Sequence, residues 1–315
     1  MNYLDLHANS IVIDGHSDIP LYMFKNRQYN KKPFIKDHLP LLKEGGINIV
    51  FINLFENLHP EGSLKEALTQ VGDIYKELEE TEEAILIKNK KDLNKVLKEN
   101  KIGLVLSMEG LEPISNEISL LSVFHELGLR CGTLTWNHRN YFASGLYEIG
   151  GLSNLGKAAV KEMERLNIVV DVSHLNEEGF WDVISIVEKP IIASHSNAKA
   201  VYNHPRNLTD EQVKAIVNTK GVIGLNGYFT QDIDKESLNT YMEHLEYLLD
   251  IAGEDHVGLG FDFNSYLGDG GLKDLEDCTK TSNVTKELIK RGYKEETIKK
   301  VLGLNFLRIL EGILL

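Results

Sequence analysis

Cysteine and long apolar runs are scarce in this sequence of 315 residues. Cys131 and Cys278 are the only two thiols, too few for a disulfide framework or a thiolate zinc site, which favours a reducing compartment. No uninterrupted apolar run approaches the length of a membrane span. The opening residues MNYLDLHANS include an acid and no basic cluster, unlike the layout of a signal peptide. We therefore expect a cytoplasmic protein that does not attach to membranes.

Positive charge is also in deficit. The chain has 34 lysines and arginines against 47 aspartates and glutamates, which gives a formal net charge of −13. Because affinity for nucleic acid depends on clustered basic side chains, this balance argues against a DNA or RNA partner.

Short apolar runs rich in β-branched residues recur along the chain, and each ends in a polar or glycine-rich turn. Most of the runs are continuous, as in buried parallel strands, and do not alternate as half-exposed antiparallel strands do. The runs predict about eight strands, at Ile11–Asp18, Ile47–Asn53, Ile102–Glu109, Arg130–Asn137, Ile168–His174, Ile191–His195, Val222–Asn226 and Val257–Asp262.

Segments with helical periodicity separate most of these strands. They are predicted at Leu64–Glu80, Leu155–Leu166, Glu177–Val187, Thr209–Asn218 and Ser237–Ile251, with Asn154 and Thr209 where helix caps would stand. A glycine-rich, acidic loop at Ser265–Asp277 precedes two or three closing helices that run to Leu315.

Repeated strand and helix units with about eight strands predict an α/β fold, a (β/α)₈ TIM barrel with C-terminal closing helices. An open doubly wound sheet is the alternative, but no phosphate-binding fingerprint follows the first strand. No linker rich in proline, glycine or serine divides the chain. We therefore predict a single domain over residues 1–315.

Polar side chains stand where these strands end. In a barrel the C-terminal ends of all strands face one mouth, where active sites lie. Six candidates should therefore converge there: His16, Asp18, Glu109, His174, His195 and Asp262.

Three histidines with two or three carboxylates suit divalent transition metals, with zinc favoured by imidazole and manganese or cobalt as alternatives. One histidine at a strand end is more often a structural, hydrogen-bonded residue, but so many together would bury polar groups at a cost. His16 and Asp18 are two apart on one strand, so they can bind the same ion. With Glu109 as a bridge, the set predicts a two-metal centre whose shared hydroxide is the nucleophile.

Other polar residues near the mouth are expected to bind substrate or to be structural. His138, just past the fourth predicted strand, fits a substrate or oxyanion contact better than a metal ligand. Arg206 follows the sixth, where its guanidinium could bind a substrate carboxylate or pair with a nearby acid. The remaining histidines are expected to be structural or surface groups: His7, His38, His59, His125, His204, His244 and His256.

Several motifs, in order along the chain, resemble those of the membrane (renal) dipeptidase family of zinc metallopeptidases. They are Asp14-Gly-His-Ser-Asp18, Leu42-Lys-Glu-Gly-Gly46, Ser107-Met-Glu-Gly110, Leu134-Thr-Trp-Asn-His138, Asp171-Val-Ser-His174, Ala193-Ser-His-Ser196, Asn203-His-Pro-Arg-Asn207, Gly260-Phe-Asp262 and Gly303-Leu-Asn-Phe-Leu307. The resemblance runs from about Ile11 to Leu310.

The resemblance implies a role for each candidate residue. His16, Asp18 and Glu109 would hold one zinc ion, and Glu109, His174 and His195 the other. His138 would contact the substrate and transition state, Arg206 would bind the terminal carboxylate, and Asp262 would handle the proton or the substrate amino group. Tyr228 lies near a family tyrosine that contacts substrate, although its Asn-Gly-Tyr-Phe order departs from the usual Asn-Phe-Tyr.

The residues and the resemblance together predict a dipeptidase that uses two zinc ions per chain. The resemblance adds tolerance of a D-residue at the C-terminal position, and it leans towards a homodimer. Another binuclear metal amidohydrolase on the same barrel, such as a deacylase or lactonase, is the first alternative. A metal-binding protein without catalytic activity is the second.

Overall fold

A computed structural model describes residues 2–55 and 62–314 of the protein. This part of the chain contains nine strands in one sheet. They are β1 (Ile13–Ser17), β2 (Ile49–Leu54), β3 (Ala84–Leu86), β4 (Ile102–Glu109), β5 (Leu129–Thr133), β6 (Val169–Asp171), β7 (Ile192–Ala193), β8 (Val222–Leu225) and β9 (Val257–Leu259).

Eight of the strands close into a parallel barrel. β1 pairs with β2 on one side and with β9 on the other. β2 pairs directly with β4, in a register that runs from Ile49 opposite Gly103 to Leu54 opposite Met108. The remaining strands follow in chain order from β4 to β9. The predicted (β/α)₈ TIM barrel is therefore confirmed.

β3 is the strand that the sequence analysis missed. Its three residues pair with the first half of β4, where Ala84 lies opposite Ile102. β2 occupies one edge of β4 along nearly its whole length, so β3 shares the other edge with β5, which pairs from Leu106 onward. A run of three residues is too short to show a periodic pattern, which explains the omission.

Helices surround the barrel. They are α1 (Tyr3–Ala8), α2 (Ile19–Asn26), α3 (Leu39–Glu44), α4 (Ser63–Leu78), α5 (Lys90–Glu99), α6 (Leu120–Glu126), α7 (Asn154–Arg165), α8 (Glu177–Ile184), α9 (Asp210–Asn218), α10 (Leu238–Ala252), α11 (Ser282–Lys290), α12 (Glu295–Lys299) and α13 (Asn305–Ile313). Short 3₁₀ turns lie at Glu112–Ile114, Ser265–Leu267 and Cys278–Lys280, and π-helical turns at Phe34–His38 and Lys300–Leu304.

Of the two predicted helix caps, Thr209 is confirmed and Asn154 is wrong by one residue. Thr209 caps α9 through a reciprocal capping box with Gln212. Asn154 is the first residue of α7 and not its cap, because the Ser153 hydroxyl accepts the hydrogen bond from the Gly156 amide. Serine and asparagine are both good caps and stand side by side here, so sequence preference does not separate them.

Strand side chains alternate between two apolar layers. Ile49 and Phe51 of β2 lie in the cluster inside the barrel, whereas Val50 and Ile52 lie in the cluster beneath the helices. The closing helix α13 places Phe306 among the inner residues. A Cβ atom at Gly258 would lie 2.6 Å from the Phe306 ring, so this glycine makes room for the aromatic side chain.

The barrel therefore has a packed interior that ends in polar residues at the mouth. One predicted strand, Ile102–Glu109, is confirmed with the same bounds, most of the others are shorter than predicted, and several candidate residues lie one to three positions past them. No helix among the described residues is both long and apolar enough to span a lipid bilayer.

Candidate metal centre

The six residues expected to converge come from five strand ends. His16 lies in β1 and Glu109 is the last residue of β4. Asp18 directly follows β1, and the other three come two or three residues after β6, β7 and β9: His174, His195 and Asp262. On β4, Glu109 is four residues after Val105, which belongs to the inner cluster, so its side chain points to the barrel interior.

Glu109 lies at the centre of the histidines. Its Oε1 atom is 2.8 Å from Nε2 of His174 and 3.8 Å from Nε2 of His195. Its Oε2 atom is 3.6 Å from Nε2 of His16. One carboxylate thus offers one oxygen to each side, as a bridging ligand between two ions must.

Two carboxylates complete the His16 side. The Nε2 atom of His16 is 3.8 Å from Oδ1 of Asp18 and 3.7 Å from Oδ1 of Asp262. The Oδ1 atom of Asp18 is buried and has no hydrogen-bond partner within the described ranges. A buried carboxylate oxygen without a donor is costly unless a cation binds it.

Each histidine is oriented by a hydrogen bond at its other ring nitrogen. The Nδ1 atom of His16 is 3.0 Å from the side-chain nitrogen Nδ2 of Asn53. Asn137 Oδ1 lies 2.9 Å from Nδ1 of His174, and Ser194 Oγ lies 2.7 Å from Nδ1 of His195. Metal-binding histidines usually donate the other ring N–H to an acceptor that holds the ring orientation, as the oxygens of Asn137 and Ser194 can accept here.

Burial keeps the histidines neutral. It lowers the pKa of His16 to about 3, aided by the charge of Arg206, and it lowers the pKa of His174 and His195 well below the usual range. A neutral imidazole has the free lone pair that ligation requires.

Burial acts on the carboxyl groups in the opposite sense. It raises the pKa of Asp18 to about 7. It also raises the pKa of Glu109 well above its ordinary value, with additional repulsion from Asp18 and Asp262. Because these carboxyl groups repel one another when ionised, a bound cation would stabilise their charged forms.

Two of these residues have unusual backbone conformations. His174 has φ +68° and Asp262 has φ +58°, both in the left-handed region that disfavours non-glycine residues. Such strain costs about 1–3 kcal/mol per residue and is typical of functional sites.

Arg206 lies beside the histidines in the loop between β7 and α9, and it is 5% exposed. Its Nη1 atom donates a hydrogen bond of 3.1 Å to the Ser196 hydroxyl. Within residues 2–55 and 62–314, its Nε and Nη2 atoms are buried without a hydrogen-bond partner. Arg206 and His174 both line a cavity of about 180 Å³. The guanidinium therefore has two donors available for a ligand.

His138 lies at the rim of the mouth. Its side chain is 58% exposed, and its Nδ1 atom is 3.8 Å from Oε1 of Glu148. Its ring packs edge-on against Trp136 at 5.7 Å, and Trp136 lies 6.3 Å from the ring of His174. The Trp136 indole thus contacts both His138 and the candidate ligand His174.

Tyr228 is half-buried in the loop after β8. Its carbonyl oxygen accepts a hydrogen bond of 2.7 Å from Asn197. Burial, together with the carboxyl groups of Asp262 and Asp269, raises the pKa of its hydroxyl. The tyrosine therefore stays protonated, on the side of the mouth where Asp262 lies.

Most of the histidines expected to be structural lie apart from this cluster. His7 contacts Thr285 and the Gly45 carbonyl, and His244 lies between the Ala198 amide and the Thr230 carbonyl. His59 falls outside the described residues.

Sequence reasoning did not single out Asn53, Asn137 or Ser194, the partners of the histidine rings. Asn53 is two residues after Phe51 and four after Ile49 on β2. Because every second side chain of a strand points to the same face, this spacing could have predicted that Asn53 faces the barrel interior. For Ser194 and Asn137 the useful signal was their position beside or near the candidate ligands in the strand-end motifs.

The sequence profile of the membrane dipeptidase family, peptidase family M19, matches residues 2–314. An uncharacterised dipeptidase of Schizosaccharomyces pombe is 31% identical over 327 residues, which cover 95% of this chain and 80% of the relative. The dipeptidase verJ of Clonostachys rogersoniana is 28% identical over 337 residues, with 98% and 86% covered.

Solved structures agree with these relatives. A metallopeptidase of Rhodobacter sphaeroides, crystallised with a phosphinate mimic of the dipeptide L-Ala-D-Ala, superposes with a TM-score of 0.90 at 27% identity, covering 97% of this chain and all of that one. A dipeptidase of family M19, solved as a metallopeptidase, gives a TM-score of 0.89 at 29% identity, with 96% and 98% covered. The metallo-dipeptidase class expected from the motifs is confirmed, and the chain belongs to the membrane dipeptidase family, peptidase family M19.

Proposed function

We propose that this enzyme hydrolyses dipeptides with a free C-terminal carboxylate, using two divalent metal ions, with zinc as the first choice. The observation that carries the proposal is the placement of a buried guanidinium, two of whose nitrogen atoms have no hydrogen-bond partner among the described residues, beside a carboxylate that is surrounded by three histidines. The first feature suits a substrate carboxylate and the second suits a pair of cations.

The donor set fits two ions. We propose that His16, Asp18 and Glu109 hold one ion, and that Glu109, His174 and His195 hold the other. Two divalent ions held there would polarise the scissile carbonyl and activate water for attack. Manganese and cobalt prefer similar mixed nitrogen and oxygen ligands, so either is an alternative to zinc.

Charge supports the number of ions. Five buried or nearly buried carboxyl groups and one guanidinium meet at this end of the barrel, with a net charge of minus four when all are ionised: Asp14, Asp18, Glu109, Asp171, Asp262 and Arg206. Two divalent ions would neutralise that charge, whereas without cations burial favours the protonated forms of these carboxyl groups.

Arg206 defines the substrate class. A planar guanidinium with two free donors binds a carboxylate through two parallel hydrogen bonds. In a longer peptide, a peptide bond would replace the terminal carboxylate. Its carbonyl oxygen is a neutral acceptor, and the residues that follow it would also need space beside Arg206. We therefore expect dipeptides, and not longer peptides, to be substrates.

Asp262 is proposed to pass a proton to the departing amine. Burial and the neighbouring Asp18 carboxyl raise its pKa well above the usual range, which favours a carboxyl group that can carry a proton. Asn264 donates a hydrogen bond of 3.0 Å to its Oδ1 atom. His138, at the rim, and Tyr228, near Asp262, are proposed to contact the bound substrate.

Further expectations rest on the family. The R. sphaeroides relative binds a mimic of L-Ala-D-Ala, and we propose that this enzyme likewise accepts a D-residue at the C-terminal position. A homodimer and a cytoplasmic location are predictions from the sequence that analytical ultracentrifugation and cell fractionation would test.

The proposal is tested with the purified protein and a panel of L-L and L-D dipeptides. Removing metal with a chelator should abolish turnover, and zinc should restore it, with two equivalents bound per chain by elemental analysis. Turnover by protein shown to be free of metal would refute the proposal. N-acyl amino acids and lactones in the same panel test the alternative, which faster cleavage of either class would favour.

A further inference from the structure

Two buried aspartates at the mouth of the barrel contact backbone amides at or beside the candidate metal ligands, and both lie close to those ligands in sequence. Asp14 is in β1 and 2% exposed, and Asp171 ends β6 and is 1% exposed. Neither has a part in the chemistry proposed above. Burying two carboxylates is costly, so their contacts require an explanation.

Asp14 joins two strand ends. Its Oδ1 atom accepts a hydrogen bond of 3.3 Å from the His16 amide and one of 2.9 Å from the Phe261 amide. The first donor belongs to a proposed ligand, and the second belongs to the residue directly before Asp262. β1 and β9 are neighbours in the barrel, so this carboxylate links the chain segments that carry His16 and Asp262.

Asp171 repeats the arrangement on the other side. Its Oδ1 atom accepts hydrogen bonds of 2.9 Å from the Ser173 amide and 3.0 Å from the Ser194 amide. Ser173 directly precedes His174, and Ser194 directly precedes His195. One oxygen therefore holds both segments that supply histidines to the second proposed ion.

The backbone beside each carboxylate is strained. The residue after Phe261 has φ +58° and the residue after Ser173 has φ +68°. A strained conformation persists only where the surrounding structure over-determines it. Here the two carboxylates supply fixed acceptors for the amides next to the strained residues.

We infer that Asp14 and Asp171 are positioning residues, each of which sets the geometry of one metal site by fixing the backbone amides beside its ligands. The inference rests on the proposed two-metal function. Asp14 serves the site of His16 and Asp18, and Asp171 serves the site of His174 and His195. Their effect comes from the acceptor oxygen, so an isosteric amide should largely replace it.

The test compares Asp14→Ala, Asp14→Asn, Asp171→Ala and Asp171→Asn with the wild-type protein. Competition between the protein and a chromophoric chelator measures the two zinc dissociation constants, and circular dichroism checks the fold. Loss of a residue that orients a metal ligand by a hydrogen bond typically weakens metal binding about 10- to 100-fold. Each alanine variant should therefore weaken one of the two binding steps by that factor, whereas each asparagine variant should stay within about threefold of wild type.

Asn48 provides a matched control. Its side-chain oxygen accepts a hydrogen bond of 2.7 Å from the Val12 amide, at the other end of β1. Asn48→Ala removes a similar contact far from the mouth and should leave both zinc constants unchanged.

Folded alanine variants with wild-type zinc affinities would overturn the inference, as would asparagine variants that lose as much affinity as alanine. If the alanine variants do not fold, the inference is tested instead by measuring amide hydrogen exchange in the metal-free wild-type protein. Peptides containing Phe261 and Ser194 should be protected, and exchange at the rate of exposed loops would overturn the inference. Wild-type protein that binds no zinc would refute the proposed function itself, which is a different result from unchanged variants.

Discussion

Replacing Arg206 should change which substrates the enzyme distinguishes. Its Nε and Nη2 atoms are buried without partners among the described residues, so Arg206→Met removes two donors that only a ligand can use. Hydrogen bonds that involve a charged group contribute roughly 1.5–3 kcal/mol each. Two of them amount to about 3–6 kcal/mol, or roughly 100- to 10,000-fold in kcat/KM for a free dipeptide.

A dipeptide amide separates this effect from general damage. Its one neutral carbonyl oxygen can use only one of the two donors, so the same substitution should cost it about half as much, roughly 1.5–3 kcal/mol or about 10- to 150-fold. The wild-type preference for the free acid should therefore largely disappear in Arg206→Met. Arg206→Lys keeps the charge but not the paired donors, and it should fall between the two.

The assay is steady-state kinetics on both substrates, with metal content and circular dichroism measured in parallel. Arg165 offers a matched control, because it is exposed and pairs with Glu162 on the outer helix α7. Arg165→Met should leave the preference unchanged. Equal losses for the free and amidated dipeptides in Arg206→Met would show that this guanidinium does not bind the carboxylate.

Three further outcomes are expected. Asp262→Asn should lower kcat by about 10²–10⁴ with little change in KM, as loss of a proton donor does; a kcat within threefold of wild type, at full metal content, would exclude that role. Burial lowers the pKa of His244 to about 4, so the unfolded chain binds an extra proton between pH 6.5 and 4, and stability should fall by about 3 kcal/mol as the pH drops through that window. Urea unfolding of His244→Gln should show a flatter pH dependence, and an unchanged slope would contradict the assignment. A methyl group at Gly260 would overlap the Ser194 carbonyl, so Gly260→Ala should destabilise the fold by about 1–3 kcal/mol, whereas Gly72→Ala, with open space around it, should not; equal thermal midpoints for the two variants would refute this.

Continuous apolar runs followed by polar residues were sufficient to predict the barrel and its candidate ligands. A buried parallel strand needs apolar side chains on both faces, and this requirement is visible in local sequence. In a barrel, the C-terminal ends of all strands face the same mouth. This rule predicted that His16, Glu109 and His195 lie close together before the structure was known. The structure places their nitrogen and oxygen atoms within 4.8 Å of one another.

Other features depend on contacts between residues far apart in the chain, and only the tertiary structure decided them. Three such features have no periodic or compositional signature: the pairing of β3 with β4, the lack of partners for two Arg206 donors within residues 2–55 and 62–314, and the packing of His138 against Trp136. The same holds for the Asp14 oxygen, whose partner Phe261 lies 247 residues away. Local sequence indicated where most of the strands form, because this depends on neighbouring side chains, but it fixed their ends only to within a few residues. Closure of the barrel determines which distant groups meet, and hence which buried polar atoms find partners and which stay free for a ligand.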